Sequence, residues 1–129
     1  MASEIVCLDT SILIDYYRKK NKSHSQFYRL TEEYSSFAVS SITEYEIYVG
    51  SNTAQDQFWD DFFRNITILP FDSEVNKVAI KIFRELKAAR KKLSIPDLLI
   101  GATAVTHDLS LATLNKAHFQ WINGLQFIE

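Results

Sequence analysis

Short apolar segments rich in β-favouring residues alternate along this chain with longer segments whose apolar residues recur every three or four positions. The short segments predict strands at 5–8, 37–41, 66–70 and 110–113, and a final strand at 125–129. A strand that is apolar throughout must be covered on both faces, which is typical of parallel sheets. The alternation therefore predicts an α/β fold, with helices on both sides of a mainly parallel sheet of four to five short strands.

Helical periodicity fills the intervals between these strands. The predicted helices span 11–19, 24–34, 43–50, 55–64, 73–92 and 95–107, with a short turn or helix at 116–121. The clearest of them is 73–92, because its apolar residues share one side while cations occupy the other. Thr43 and Glu46 have the spacing of a capping box at the start of the third helix.

Composition limits the class of protein further. The 129 residues include only three glycines and two prolines, so we expect one domain over 1–129 without flexible linkers. The single cysteine, Cys7, excludes an internal disulfide, and its place in the first strand predicts a buried hydrophobe. The first four residues lack a signal-peptide pattern, and no apolar run approaches about 20 residues. We therefore expect a cytoplasmic protein that does not enter a membrane.

Three acids follow junctions of the α/β pattern. Asp9 directly follows the first strand, Glu46 lies one turn into the helix after the second, and Asp97 opens the helix at 95–107. Ligands of such sheets bind at the carboxyl ends of the strands, so these side chains are expected to converge. Carboxylates gathered without cysteine or a histidine pair favour Mg²⁺ or Mn²⁺, metals suited to phosphoryl chemistry.

Each of these acids also has a purely structural interpretation. Asp9 is placed to cap the following helix, and Glu46 has the position of the third helical residue in a capping box. Asp97 lies in a first helical turn, where the helix dipole favours a negative charge. The residue pattern alone leaves both interpretations open.

The chain resembles the PIN-domain family and, within it, the VapC-type toxins of toxin–antitoxin pairs. The resemblance extends over nearly the full length and rests on the order and spacing of several pieces. They are "LDTSILIDYY", "SSITEYEIYVG", "ILPFD", "IPDLLIGATAVTHDLSLAT" and "LNKAHF". It implies a three-layer α/β/α sandwich and an endoribonuclease that hydrolyses RNA phosphodiester bonds with Mg²⁺ (or Mn²⁺). It also implies a VapB-like antitoxin as partner and a homodimer.

The resemblance also implies roles for particular residues. Asp9, Glu46 and Asp97 match the catalytic, metal-binding acids of the family. The family often has a fourth acid in the segment that corresponds to 113–119, where this chain has none, so occupancy by two metals stays open. Thr10 and Ser11 match residues that support the first acid by hydrogen bonds. Further supporting residues are expected in the fourth-acid segment at Thr113, Asn115 and His118, of which Asn115 or His118 could hold a water or a phosphate.

Two surfaces are predicted for macromolecular partners. Residues 77–92 hold seven of the fourteen basic residues and one acid, so this face either guides RNA or is simply solvated. The RNA interpretation assigns contacts to Lys81, Arg84, Lys87, Arg90 and Lys91. An apolar groove between the early helices is expected to seat the antitoxin, with Ile14, Tyr17, Phe27 and Tyr48 as candidates. The aromatic set Phe58, Trp59, Phe62 and Phe63 is predicted to pack in the core or at a dimer surface rather than against bases.

Two other functions compete with the nuclease interpretation. The missing fourth acid favours a PIN-fold binding module that holds an antitoxin or RNA with weak or no turnover. A receiver or phosphatase that forms an aspartyl phosphate has a similar topology, but it needs a second acid close to the first. Thr10 and Ser11 follow Asp9 instead, which disfavours that class.

Overall fold

The computed structural model describes residues 4–128 and contains a four-stranded sheet with helices on both faces. The strands are β1 (Ile5–Leu8), β2 (Ser36–Ser40), β3 (Thr67–Leu69) and β4 (Ser110–Ala112). They lie in the order β3-β2-β1-β4, and every neighbouring pair is parallel. The predicted α/β class is confirmed, and the carboxyl end of β1 lies between those of β2 and β4.

Seven α-helices connect or flank these strands within the described residues. They are α1 (Thr10–Arg18), α2 (Gln26–Thr31), α3 (Ser41–Val49), α4 (Thr53–Phe63), α5 (Ser73–Ala88), α6 (Ile95–Thr106) and α7 (Lys116–Phe119), with a 3₁₀ turn at Lys22–His24. None of these helices combines the length and the apolar character needed to cross a bilayer. Most bounds differ from prediction by one or two residues, and three differences are larger.

Alternate residues of β1 face two different cores. Val6 and Leu8 pack with side chains of α1, α3 and α4, whereas Cys7 packs with those of α5 and α6. This two-sided burial explains why the strand is apolar throughout, and it gives the predicted three layers. Burial also raises the pKa of the Cys7 thiol to about 12, so the side chain is the protonated hydrophobe that its position predicts.

A single helix at 24–34 is the first larger error. Ser25 is buried in an extended conformation, and its Oγ accepts the Tyr28 N–H at 3.2 Å, so α2 begins only at Gln26. The chain before it forms the 3₁₀ turn instead. The prediction followed the spacing of apolar residues and overlooked a serine whose hydroxyl competes for helical N–H groups.

The capping box predicted at Thr43 and Glu46 is wrong. Ser40, the last residue of β2, caps α3 instead, because its Oγ accepts the Thr43 N–H at 3.1 Å. The helix therefore begins at Ser41. Glu46 lies in its second turn, where its carboxylate has no capping role.

The helix predicted at 73–92 ends at Ala88. Arg90 adopts a left-handed conformation with φ +57°, and the Lys91 N–H donates back to the Leu86 carbonyl at 2.9 Å. Arg90, Lys91 and Lys92 therefore lie in the loop before α6 and not on the face of α5, as the periodicity suggested.

The strand predicted at 125–129 is also wrong over the described residues. Leu111 and Phe127 form one isolated parallel bridge, and the segment does not continue as a strand. Glu129 lies outside the described residues.

The aromatic set of α4 packs inward as expected, with Trp59 only 4% exposed and its ring centroid 5.6 Å from that of Tyr17.

Asp15 links α1 to α2, and its replacement is expected to destabilise the fold. Its Oδ2 accepts the Gln26 N–H at 2.9 Å, and its Oδ1 pairs with Lys19 at 3.0 Å. Burial alone raises the pKa of this carboxyl, but those two partners outweigh it and lower the pKa below its usual value. We expect Asp15→Ala to lower the free energy of unfolding at pH 7 by about 1–2 kcal/mol.

The pH dependence of that loss tests its cause. The Asp15 pKa is about 4 in the unfolded chain and lower in the folded protein, so the charged side chain stabilises the fold at pH values above about 4. This stabilisation disappears as the pH falls through the folded-state pKa. In urea unfolding, Asp15→Asn keeps an acceptor for the Gln26 N–H and removes only the charge. The difference between Asp15→Asn and the parent should therefore shrink towards zero in acid. A difference that stays constant with pH would contradict the ionic explanation.

Candidate functional site

Asp9 directly follows β1 and is the most buried acid of this region, with 3% of its surface exposed. It occupies the N-cap position of α1, but its side chain makes no capping hydrogen bond. Its Oδ2 instead accepts from the Ser11 hydroxyl at 2.8 Å and from the Thr113 hydroxyl at 2.7 Å. The capping interpretation of Asp9 is therefore wrong, because its oxygen is held by two side chains from different parts of the chain.

The two hydroxyls are themselves fixed by backbone N–H groups. Ser11 Oγ accepts the Leu114 N–H at 3.1 Å, and Thr113 Oγ1 accepts the Asn115 N–H at 2.9 Å. Each hydroxyl oxygen thus accepts from the backbone and turns its own proton towards Asp9. This arrangement joins the start of α1 to the loop after β4 and fixes the orientation of a buried carboxylate.

Glu46 reaches the same region from α3. Its Oε1 accepts from the Thr10 hydroxyl at 2.7 Å, and the Thr43 Oγ1 lies 3.0 Å from the same Thr10 oxygen. Thr10 directly follows Asp9, so the first two predicted acids are connected through one residue. The neighbouring Glu44 lines a shallow cleft on another part of α3 and has no such connection. Thr43, which the sequence suggested only as a helix start, joins this network.

Asp97 lies in the first turn of α6. Ser94 caps that helix by accepting the Asp97 N–H at 3.3 Å and also bonds the Asp97 side chain, so a helix-terminus role holds for this acid. Burial and then the charge of Asp9 raise the pKa of Asp97, opposed by Ser94 and His118. The negative charge of Asp9 thus acts on the Asp97 carboxyl.

His118 and Asn115 come from the segment where the family often has a fourth acid. His118 on α7 places its Nδ1 3.5 Å from Asp97 Oδ2. Asn115 precedes α7, and its side chain does not cap that helix. An imidazole therefore stands beside the third acid of the proposed set.

The structure brings these groups to one edge of the sheet, but their side chains do not converge on one position. Asp9 and Asp97 interact electrostatically, while Glu46 is linked through Thr10. Across residues 4–128, no three histidine, cysteine or acidic side chains lie close enough together to share a metal ion. The donor chemistry nevertheless fits a hard divalent cation. Two interacting carboxylates, one with a raised pKa, carry a repulsion that a cation relieves, and their oxygens are the ligands Mg²⁺ and Mn²⁺ prefer.

The predicted partner surfaces are only partly assembled. Ile14 and Tyr17 line a cleft of about 230 Å³ that also contains Glu46 and Trp59. Phe27 packs instead against the rings of Tyr16, Phe37 and Phe62. Tyr48 donates a hydrogen bond to Asp60, so it too is engaged elsewhere.

The predicted RNA-binding cations are all exposed, with Lys81, Arg84 and Lys87 on α5 and Arg90 and Lys91 in the following loop.

Known proteins resemble this chain in sequence and in fold. A protein family described as PIN domain matches residues 6–122. Ribonuclease VapC1 of Methanocaldococcus jannaschii is 34% identical over 116 residues, which cover 89% of this chain and 79% of that protein. Ribonuclease VapC1 of Rickettsia felis is 30% identical over 129 residues, which cover 94% and 92% of the two chains. A toxin–antitoxin complex from Klebsiella pneumoniae contains a chain that superposes with a TM-score of 0.75 at 28% identity, over 93% of this chain and 94% of that one.

Proposed function

This chain belongs to the PIN domain family, and we propose that it is a divalent-metal-dependent endoribonuclease, the toxin of a toxin–antitoxin pair. Relatives named ribonuclease VapC, which it matches over most of its length, support the reaction class. The observation that carries the proposal for this chain is the Asp9 network. A buried carboxylate that caps nothing, and that two hydroxyls orient, has the construction of a fixed ligand.

We assign Asp9, Asp97 and Glu46 to metal binding and catalysis. Mg²⁺ or Mn²⁺ held by these acids would lower the pKa of the attacking water and stabilise negative charge on the phosphodiester. Ser11 and Thr113 position Asp9, and Thr10 positions Glu46, through the hydrogen bonds they donate. His118 donates towards Asp97 and stands, with Asn115, where RNA phosphate or water would meet the site.

The proposed setting is that of a VapC toxin, a single PIN-like domain over 1–129 that works in the cytoplasm as a homodimer. A VapB-like antitoxin would mask the activity, and the proposal is supported by the toxin–antitoxin complex from Klebsiella pneumoniae, in which one chain has a similar fold. We place an apolar antitoxin segment in the cleft lined by Ile14, Tyr17 and Trp59. Glu46 lines the same cleft, so an occupant would lie against one of the proposed catalytic acids.

Titration of the purified, antitoxin-free chain with Mn²⁺ tests the site. We expect calorimetry to detect binding, and we expect Asp9→Asn and Asp97→Asn each to weaken it by more than about a hundredfold. Joint loss would place both acids in one centre. Glu74→Gln serves as the control, because Glu74 is an exposed acid in the first turn of α5 and should leave affinity unchanged.

The same titration separates the nuclease from its alternative. A chain that binds RNA or an antitoxin but shows no Mn²⁺ binding would be the non-catalytic module. RNA cleavage that is stopped by EDTA and restored by Mg²⁺ or Mn²⁺ would establish the proposed reaction.

A further inference from the structure

We propose that Trp121 and Lys91 form a base-stacking subsite for single-stranded RNA beside the candidate centre. The Lys91 Nζ lies 4.1 Å from the centroid of the Trp121 ring, and 52% of the Trp121 surface is exposed. This inference rests on the proposed ribonuclease function and adds to it a place where the substrate is held. Trp121 was not among the residues that the sequence pattern singled out.

The exposed ring stands on a rigid support. Phe119 and Ile122, on either side of it in sequence, are 1% and 5% exposed and pack in the core shared by α5 and α6. The Ile122 side chain lies so close to Gly101 of α6 that a Cβ there would approach it to 2.5 Å. These anchors fix the backbone around Trp121, so its outward position follows from the packing of its neighbours. An ordered aromatic surface loses little conformational entropy when a base stacks on it.

The pair is joined through short stretches of chain to residues of the candidate site. Trp121 follows His118 by three residues, and His118 reaches Asp97 at 3.5 Å. Lys91 belongs to the loop that leads from α5 into α6, whose first turn carries Asp97. Both halves of the pair are thus on segments that lead along the chain to Asp97 or to its neighbour His118.

Charge around the pair favours a polyanion. A cleft of about 340 Å³ is lined by Lys87, Lys91 and Lys92 together with apolar side chains that include Leu93 and Leu98. No acid lines this cleft, and no acid within residues 4–128 forms an ion pair with these three lysines. Cations that follow a phosphate backbone, combined with an aromatic face for a base, are the features that bind single-stranded nucleic acid.

Binding is measured on the full chain without metal, in EDTA, so that RNA is held but not cut. The probe is a fluorescein-labelled single-stranded RNA of mixed sequence, followed by anisotropy at several salt concentrations. We expect Trp121→Ala to weaken binding roughly tenfold, and Trp121→Phe to retain most of the affinity. The slope of log K against log salt is negative, and Lys91→Ala should reduce its magnitude by about 0.7, the value for one phosphate contact on a single strand. Arg29→Ala, which removes an exposed cation of α2 outside the basic face, should change neither quantity.

Tryptophan emission provides an independent readout. The chain has two tryptophans, and Trp59 is buried, so quenching by RNA reports on Trp121. We expect that quenching in the parent chain and its loss in Trp121→Phe. Polyglutamate, which offers charge without bases, should not quench.

Three results would overturn the inference. They are equal quenching by polyglutamate, a change of Trp121 emission with protein concentration alone, and unaltered RNA affinity in both Trp121→Ala and Lys91→Ala. The first would indicate an acidic protein partner, and the second a contact between copies of this chain. Lys91→Ala keeps the test valid if Trp121→Ala does not fold. Metal-dependent cleavage that persists beside any of these results would leave the proposed function standing, whereas a parent chain without Mn²⁺ binding or cleavage would remove that function itself.

Discussion

Asp9→Asn is expected to reduce RNA cleavage by roughly a thousandfold or more, since the variant removes a charge from the proposed metal site while keeping its shape. Asparagine matches aspartate in size, and its Oδ1 can still accept a hydrogen bond from Ser11 or Thr113. The fold should therefore survive, and thermal unfolding of the metal-free chain checks that it does. Single-turnover cleavage of a labelled RNA with saturating Mn²⁺ measures the effect.

A matched pair of glutamates on α3 controls for the general loss of a negative charge. Glu46→Gln should also reduce cleavage strongly, because Glu46 is tied by Thr10 to the Asp9 region. Glu44→Gln, two residues away, should cleave like the parent, since Glu44 lines a different cleft.

Cleavage at the parent rate by Asp9→Asn would mean that the nuclease activity does not belong to this site. Equal losses in both glutamine variants would mean that charge, and not position, matters.

The α/β order was predictable because burial on both faces leaves a direct trace in sequence. Val6, Cys7 and Leu8 are all fully buried, although they face different cores, so the whole strand must be apolar. Once the strand was recognised, Asp9 was necessarily at its carboxyl end, where ligands of such sheets bind. The resemblance to a family then supplied Ser11 as a partner of Asp9 and Thr113 as a supporting residue. The structure shows that Thr113 also donates to Asp9, although no local pattern connects it with Ser11, 102 residues away.

The errors share a different physical origin. Ser25 and Ser40 each set the start of a helix, because the side-chain hydroxyl accepts a backbone N–H. Hydrophobic periodicity does not reveal such hydrogen bonds. The apolar spacing also does not reveal the left-handed turn at Arg90, because that spacing continues past it to Leu93. Trp121 is exposed only because its neighbours are drawn into the core, which is a tertiary effect. Local pattern thus located the proposed acids, while tertiary packing decided which cations and aromatic rings are exposed.

Thr113→Val should weaken Mn²⁺ binding and RNA cleavage by about 10- to 100-fold while the free energy of unfolding changes little, by about 1 kcal/mol. Valine has nearly the shape of threonine but neither donates to Asp9 Oδ2 nor accepts from the Asn115 N–H. The carboxylate then keeps the Ser11 hydroxyl as its remaining partner on that oxygen. Calorimetry with Mn²⁺ and single-turnover cleavage measure the two losses, and urea unfolding measures stability.

Thr113→Ser distinguishes positioning from packing. Serine restores the hydroxyl that reaches Asp9 and removes only a methyl group, so metal affinity and cleavage should return to near the parent values. The role assigned to Thr113 requires this rescue, because both of its hydrogen bonds are made by the oxygen. If serine failed as badly as valine, the methyl contact would be the important one, and the Asp9 network would not be what orients the carboxylate. If valine cleaved like the parent, Asp9 would not depend on this hydroxyl for its function.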